Sequence, residues 1–178
     1  MVPISDQNAL RDAPSSSMAL AEVLVVLQAL EIVGCRYWLE GGSGVDTLVG
    51  RQTRPHRDLD VDFDAAYEAE TLAALQELGY VVETDWRPNR IELVAPARGW
   101  VDLHPLVLYE DGSARQAALD GSYHRFDRSW FTVGELDGRP VPCVTAQAQR
   151  LFREGYEHRP VDRHDLDLLE ELDRGRSL

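Results

Sequence analysis

Apolar and polar residues alternate without a break over residues 57–63: Leu59, Val61 and Phe63 fall on one side, Asp58, Asp60 and Asp62 on the other. A period of two predicts a strand with one buried face. Shorter runs predict further strands over 36–40, 80–84, 90–94 and 100–107. Elsewhere the period lengthens to that of a helix. Leu20, Val23, Leu24, Leu27, Leu30 and Ile32 form an apolar stripe that Ser16 or Ser17 would cap and Gly34 would stop. A second stripe, Leu72, Leu75 and Leu78, predicts a helix over 65–78 with Asp64 as its N-cap. Between these elements, Gly41-Gly42-Ser43-Gly44 reads as a tight turn and residues 45–49 as one or two helical turns ended by Gly50. Beyond Asp111 the pattern weakens. Short strands are expected over 122–126 and 139–143, then helices over 145–153 and 162–173.

Composition narrows the possibilities. The 178 residues suit one domain, and 44% apolar residues suffice for a folded core. The polar stretch 1–15, with two prolines, reads as a flexible leader. Two cysteines, Cys35 and Cys143, cannot frame a disulfide scaffold, so a cytoplasmic protein is expected. The longest apolar stretch, residues 20–33, is broken by Glu22, Gln28 and Glu31, and it falls short of the roughly 20 residues a span needs. Neither a membrane span nor a signal peptide is expected. All 18 basic residues are arginine. The absence of lysine excludes a P-loop lysine, a Schiff-base lysine and a lysine general base. A net charge of −13 argues against a nucleic-acid coat, since that affinity rests on neutralising phosphates.

The chemistry concentrates between Gly41 and Asp62. A Gly-Gly-Ser turn lets the backbone approach a ligand closely and suits phosphate oxygens. Residues 51–57 carry Arg51, Arg54, Arg57 and His56, a basic loop in an acidic chain, and guanidinium forks match phosphate geometry. Aspartates at 58, 60 and 62 project from one strand face about 6–7 Å apart and repel one another. Mg²⁺ relieves that repulsion and keeps positions open for substrate phosphates. A pair of ions roughly 3.5–4 Å apart would hold both the attacking and the leaving oxygen of a nucleotidyl transfer. Asp102, alternating with Val101 and Leu103, offers a third carboxylate on the polar face of a neighbouring strand.

Taken together, Gly-Gly-Ser, Asp58-Leu59-Asp60 and a later Asp102 resemble the nucleotidyltransferase superfamily with the DNA polymerase β-like palm. The closer resemblance is to the small lincosamide nucleotidyltransferases. It is carried by Tyr37-Trp38-Leu39-Glu40-Gly41-Gly42, Gly44-Val45-Asp46, His56-Arg57-Asp58-Leu59-Asp60-Val61-Asp62-Phe63-Asp64, the stretch 86–92, Asp102-Leu103-His104-Pro105, and the tail around Gly155-Tyr156 and His164-Asp165. It spans about residues 30–169.

The resemblance implies an α+β fold: a palm with a mixed twisted sheet flanked by helices, followed by C-terminal helices. One nucleotidyltransferase domain would fill 16–178, its palm core over about 16–110 and its C-terminal part over about 111–178. Asp58, Asp60 and Asp102 would hold one or two Mg²⁺ ions and form the catalytic set, with Asp102 as base. Gly41, Gly42, Ser43, Arg54 and Arg57 would bind the nucleotide, and Trp86, Arg90 and Glu92 would meet the acceptor. The enzyme would move a nucleoside monophosphate, AMP from ATP, to a hydroxyl of a lincosamide, release pyrophosphate and confer resistance. The family carries Trp where this chain has Ser43, which puts the acceptor pocket in question rather than nucleotide binding.

The acidic composition agrees with a cationic antibiotic as partner, and homodimer formation is left open. The alternatives are transfer to an aminoglycoside or another small hydroxyl acceptor, or an idle nucleotide-binding module. Asp46 is expected to cap, or to pair with an arginine of the next loop. His104 is expected to be a packed or hydrogen-bonding residue rather than a catalyst. His158 and His164 lack the spacing and cysteines of a zinc site.

Overall fold

The computed structural model describes residues 17–176. Helix α1 (Leu20–Ile32) leads into β1 (Tyr37–Leu39), α2 (Gly41–Val49) and β2 (Asp58–Asp64). A 3-10 turn (Ala65–Tyr67) and α3 (Glu68–Glu77) return the chain to β3 (Val81–Trp86), β4 (Arg90–Ala95) and the long β5 (Gly99–Leu108). There follow β6 (Ala114–Ala117), β7 (Tyr123–Phe126), β8 (Phe131–Leu136), β9 (Arg139–Val144), α4 (Ala146–Leu151) and α5 (Pro160–Arg176). The strands form one mixed sheet in the order β3-β4-β5-β2-β1-β9-β8, with the β6–β7 hairpin joined to the far end of β5. β2 runs parallel to β5 and β1 parallel to β9, while the other pairings are antiparallel. This is the expected α+β palm, a mixed sheet flanked by helices.

The alternation of β2 explains why two faces of one sheet have different fates. Leu59, Val61 and Phe63 are fully buried against Val26, Leu27 and Leu30 of α1 and Leu75 of α3, together with Ile91, Leu93, Val101 and Leu103 of the neighbouring strands. Burying each such side chain contributes roughly 1.5–3 kcal/mol. That core fixes the register in which the opposite face is displayed, because a one-residue slip would turn every aspartate inward. On the opposite face a smaller aromatic cluster of Phe126, Trp38, Trp130, Phe131 and Phe152 supports the C-terminal strands and α4.

Several element boundaries differ from those the sequence predicts. Helix α1 starts at Leu20 with Ala19 at its N-cap and no side-chain cap; Ser17 is exposed and precedes it, while Ser16 and the leader lie outside the described residues. Asp64 does act as a cap, accepting from the Ala66 amide at 3.1 Å, but it caps the 3-10 turn that precedes α3. The glycine run is not a separate turn: α2 begins at Gly41, whose φ of 58° only glycine adopts without strain, and ends at Gly50 in the left-handed conformation. Strands β6 and β8 went unpredicted because their patterns are weak. Ala-Arg-Gln-Ala offers little contrast between faces, and β8 is interrupted by Gly134 and exposes Val133.

Candidate active site

The first wall of the site is the polar face of the sheet. Register places Asp60 of β2 beside Asp102 of β5, Asp102 beside Glu92 of β4, and Asp62 beside His104. Glu40, immediately after β1, joins them through its amide, which donates to the Asp60 carbonyl at 3.1 Å. Like charges placed directly opposite one another destabilise a sheet, so the row needs cations. Arg90 Nη1 lies 3.1 Å from Asp102 Oδ2, and Arg90 Nη2 lies 3.6 Å from Glu92 Oε2. His104 Nε2 lies 3.2 Å from Glu40 Oε1, 3.8 Å from Asp60 Oδ1 and 3.9 Å from Asp102 Oδ2.

Burial and mutual repulsion hold protons on this wall. Burial, reinforced by Asp60, raises the Asp58 carboxyl above its ordinary value. Burial likewise raises Glu40, against the pull of His104, and pushes Asp62 well up. Asp102 is pushed up to about 7, chiefly by burial, with His104 and Arg90 opposing and Asp60 and Glu92 adding to the rise. Burial works against a charged His104, yet Glu40, Asp60, Asp102 and Asp62 together raise it to about 10. Asp102 Oδ1 and both carboxylate oxygens of the fully buried Asp62 have no hydrogen-bond partner. A crowded set of hard oxygen donors with orphaned lone pairs fits a divalent cation. Among the described residues, Glu40, Asp60 and His104 bring one ligand atom each to within 4.8 Å of one another, with Asp58 and Asp102 beside them on the same face.

The second wall is basic and faces the first across a cavity of about 730 Å³. Its centre is the first turn of α2, where the free amides of a helix N-terminus favour anions. A Cβ at Gly42 would collide with the Arg54 guanidinium and the His56 ring, so only glycine lets these groups close over the turn. Asp46, 2% exposed, secures the basic loop. Its Oδ1 accepts from the Thr53 amide at 3.0 Å and from the Thr53 hydroxyl at 2.6 Å, and its Oδ2 lies 2.5 Å from His56 Nε2. Asp46 therefore pairs with the loop through Thr53 and His56, not through an arginine as expected. Arg54 reaches the last helix instead, donating from Nε and Nη2 to the two oxygens of Asp165, each at 3.0 Å. Arg57 stacks 4.3 Å over the Trp100 ring.

Of the residues that the sequence singles out, Gly41, Gly42, Arg54, Arg57, Asp58, Asp60, Asp102 and Arg90 all line this cavity. Ser43 is 5% exposed inside the first turn of α2 and does not line it, and neither do Trp86 and Glu92. Trp86 instead stacks on Arg90, its centroid 4.8 Å away, and Glu92 flanks the same guanidinium. Sequence reasoning gave no site role to Glu40 or to the tail residues Gln149, Arg153 and Arg159 that complete the cavity. Glu40 was within reach, since it shares the alternation of Trp38 on the polar side of β1. The tail residues carry no periodic signal.

A sequence model of the aminoglycoside-2''-adenylyltransferase family matches residues 22–169. A lincosamide resistance protein of Staphylococcus haemolyticus is 38% identical over 151 residues, covering 85% of this chain and 94% of that protein. The lincomycin-bound structure of the lincosamide antibiotic adenylyltransferase LnuA superposes with a TM-score of 0.82 at 37% identity, over 88% of this chain and 99% of that one. The structure of ANT(2")-Ia in complex with adenylyl-2"-tobramycin superposes with a TM-score of 0.66 at 21% identity, over 89% of this chain and 98% of that one, a likeness of fold.

Proposed function

Because this chain belongs to the aminoglycoside-2''-adenylyltransferase family, we propose that its cleft transfers AMP from ATP to a hydroxyl of a lincosamide antibiotic and releases pyrophosphate. The observation that carries the reading is the side-by-side placement of Asp60 and Asp102 on parallel strands, facing a glycine-started helix and arginines across one cavity. The 38% identity to a lincosamide resistance protein points to the acceptor.

Asp58, Asp60 and Asp102 would hold Mg²⁺, with Glu40 and His104 behind Asp60. When bound, the ion supplies charge that neutralises the phosphates and lowers the pKa of the attacking hydroxyl. The protein supplies the rest. The Gly41–Gly42 amides and the Arg54 and Arg57 guanidiniums seat the phosphate chain. Arg90 occupies Asp102 Oδ2 and leaves Oδ1 free to take the acceptor's proton. The acceptor oxygen bonds to the α-phosphorus as the bond to the bridging oxygen breaks, and pyrophosphate leaves toward the arginines. Burial and the neighbouring Asp60 and Glu92 raise the Asp102 carboxyl, and a cation bound beside it would favour the carboxylate form that accepts a proton.

Purified protein with ATP and Mg²⁺ should release pyrophosphate only when lincomycin is added, and the antibiotic should gain the mass of one AMP. Adenylylation of aminoglycosides alone, from a panel of both classes, would move the acceptor; no product from either class would refute the reading.

A further inference from the structure

The acidic wall and the glycine turn leave one part of the cavity unexplained. Gln149 and Arg153, on and just after α4, are buried in its floor and keep donors without acceptors. Gln149 is fully buried. Its Oε1 accepts from Arg153 Nη1 at 2.6 Å, which fixes the orientation of the amide and leaves Nε2 unpartnered. That nitrogen lies against the first turn of α2, since a Cβ at Gly44 would collide with it. Arg153 is 6% exposed. Its Nη1 also donates to the Gln149 carbonyl at 3.0 Å and its Nη2 to Asp165 Oδ2 at 2.8 Å, while Nε has no partner.

Two arginines thus share one carboxylate. Asp165, 1% exposed, binds Arg54 with both oxygens and Arg153 with one of them. Two further acids interact with Arg153, Glu40 and Asp162, and each already has a cationic partner of its own, His104 and Arg159. An incompletely neutralised guanidinium, taken out of water, is costly unless an anion completes it. A buried amide N–H without an acceptor is costly for the same reason. Both costs fall if an anion with several oxygens enters the cavity that these side chains line.

We propose that Gln149 and Arg153, with Arg54, form a binding site for the phosphate chain of the nucleotide, and that Asp165 is the positioning residue that holds both arginines to it. The proposal rests on the nucleotidyl-transfer reading and deepens it, because a site on this wall would grip the pyrophosphate portion that becomes the leaving group. It also gives the tail a task beyond packing on α2: helix α5 carries Asp165 and His164, whose Nε2 lies 3.1 Å from the Thr53 hydroxyl of the basic loop.

The test uses the full chain, with calorimetric titrations of magnesium pyrophosphate, ATP and AMP in the absence of acceptor. Removing a hydrogen bond to a charged ligand should weaken binding by roughly tenfold or more. Gln149→Met and Arg153→Met should do so for pyrophosphate and ATP while changing AMP affinity less than about twofold. Asp165→Asn should raise KM for ATP several-fold and leave the acceptor KM unchanged, and Asp165→Glu should restore it, which a merely structural role would not do. If Arg153→Met fails to fold by its melting curve, Gln149→Met decides, because its shape is conserved. Wild type that binds ATP with variants that bind pyrophosphate equally well overturns this inference alone. Wild type that binds neither ATP nor pyrophosphate overturns it together with the transfer reading.

Discussion

The two walls of the cleft are built on opposite plans. The acidic wall is a continuous sheet whose aspartates come from β2 and β5, aligned residue by residue over seven cross-strand pairs. The basic wall is assembled from the loop 51–57, the start of α2 and the two last helices, and aspartates join its pieces: Asp46 to Thr53 and His56, Asp165 to Arg54 and Arg153, Asp162 to Arg159. A sheet holds its chemistry by backbone register, so side chains can be exchanged without moving their neighbours. The basic wall holds its arginines in place by side-chain bonds, so one exchange displaces a partner far away in sequence. Catalysis should therefore depend on the identity of single residues in the first wall, and substrate affinity on pairs of residues in the second.

The strongest test of that contrast is Asp102→Asn or Asp60→Asn. Loss of Asp102 as proton acceptor should lower kcat by roughly 10²–10⁴-fold, and loss of Asp60 as cation ligand should lower it comparably. Melting temperature should hold or rise, because one charge leaves a repulsive cluster. A coupled pyrophosphate assay beside a melting curve checks both, and retained turnover would remove the residue from the site. Next comes Phe63→Ala, behind the acidic wall. It empties a fully buried aromatic position and should cost about 3–5 kcal/mol in denaturant unfolding. In the folded fraction the effect on KM should be small, since register survives; a large KM change would show the sheet to be less rigid than drawn.

Asp46→Ala strikes the basic wall. It strands the buried His56 and takes an acceptor from the Thr53 amide and hydroxyl, at about 1–3 kcal/mol, and it should raise KM for ATP while sparing the acceptor KM. Equal rises in both would erase the division of labour between walls.

The smallest effect concerns Asp162 and pH. Its hydrogen bonds from Arg159 lower its carboxyl from 3.8 to about 2. A lowered folded value means stability that is present above pH 3.8 and is lost as pH falls toward 2. Asp162→Asn should flatten that part of the melting-temperature profile and leave the neutral range little changed in slope.

How much of this was legible beforehand follows the same division. Asp58, Asp60 and Asp102 could be read from alternation alone, because a strand writes its two faces into consecutive residues. The palm's order of elements was readable for the same reason, up to Leu108. Arg54 could be suspected of binding phosphate, but nothing in residues 51–57 announces Asp165, which lies 111 positions away. In the sequence Gln149 and Arg153 read only as the end of a helix over 145–153: the donors left over after their local bonds are made exist only once the chain has folded. The glycine run was misread as a turn because Gly-Gly-Ser-Gly is a poor helix former. The close approach of Arg54, His56 and Gln149 requires glycines there, and tertiary contact overrides propensity.

Two histidines aside, the basic side chains that line the cavity, from Arg54 and Arg57 to Arg90, Arg153 and Arg159, are all guanidiniums. In practical labelling chemistry this separates the site from most phosphate pockets. Acylating and reductive-alkylating reagents, which attack lysine amines, find no target on this wall, so amine-directed dyes and surface couplings leave it untouched. Vicinal dicarbonyls, which condense with guanidinium, reach it directly. Arg57 and Arg159 stand exposed for that reaction, whereas Arg153 is shielded by burial. The wall thus carries its own graded footprint, readable by mass spectrometry from rim to floor.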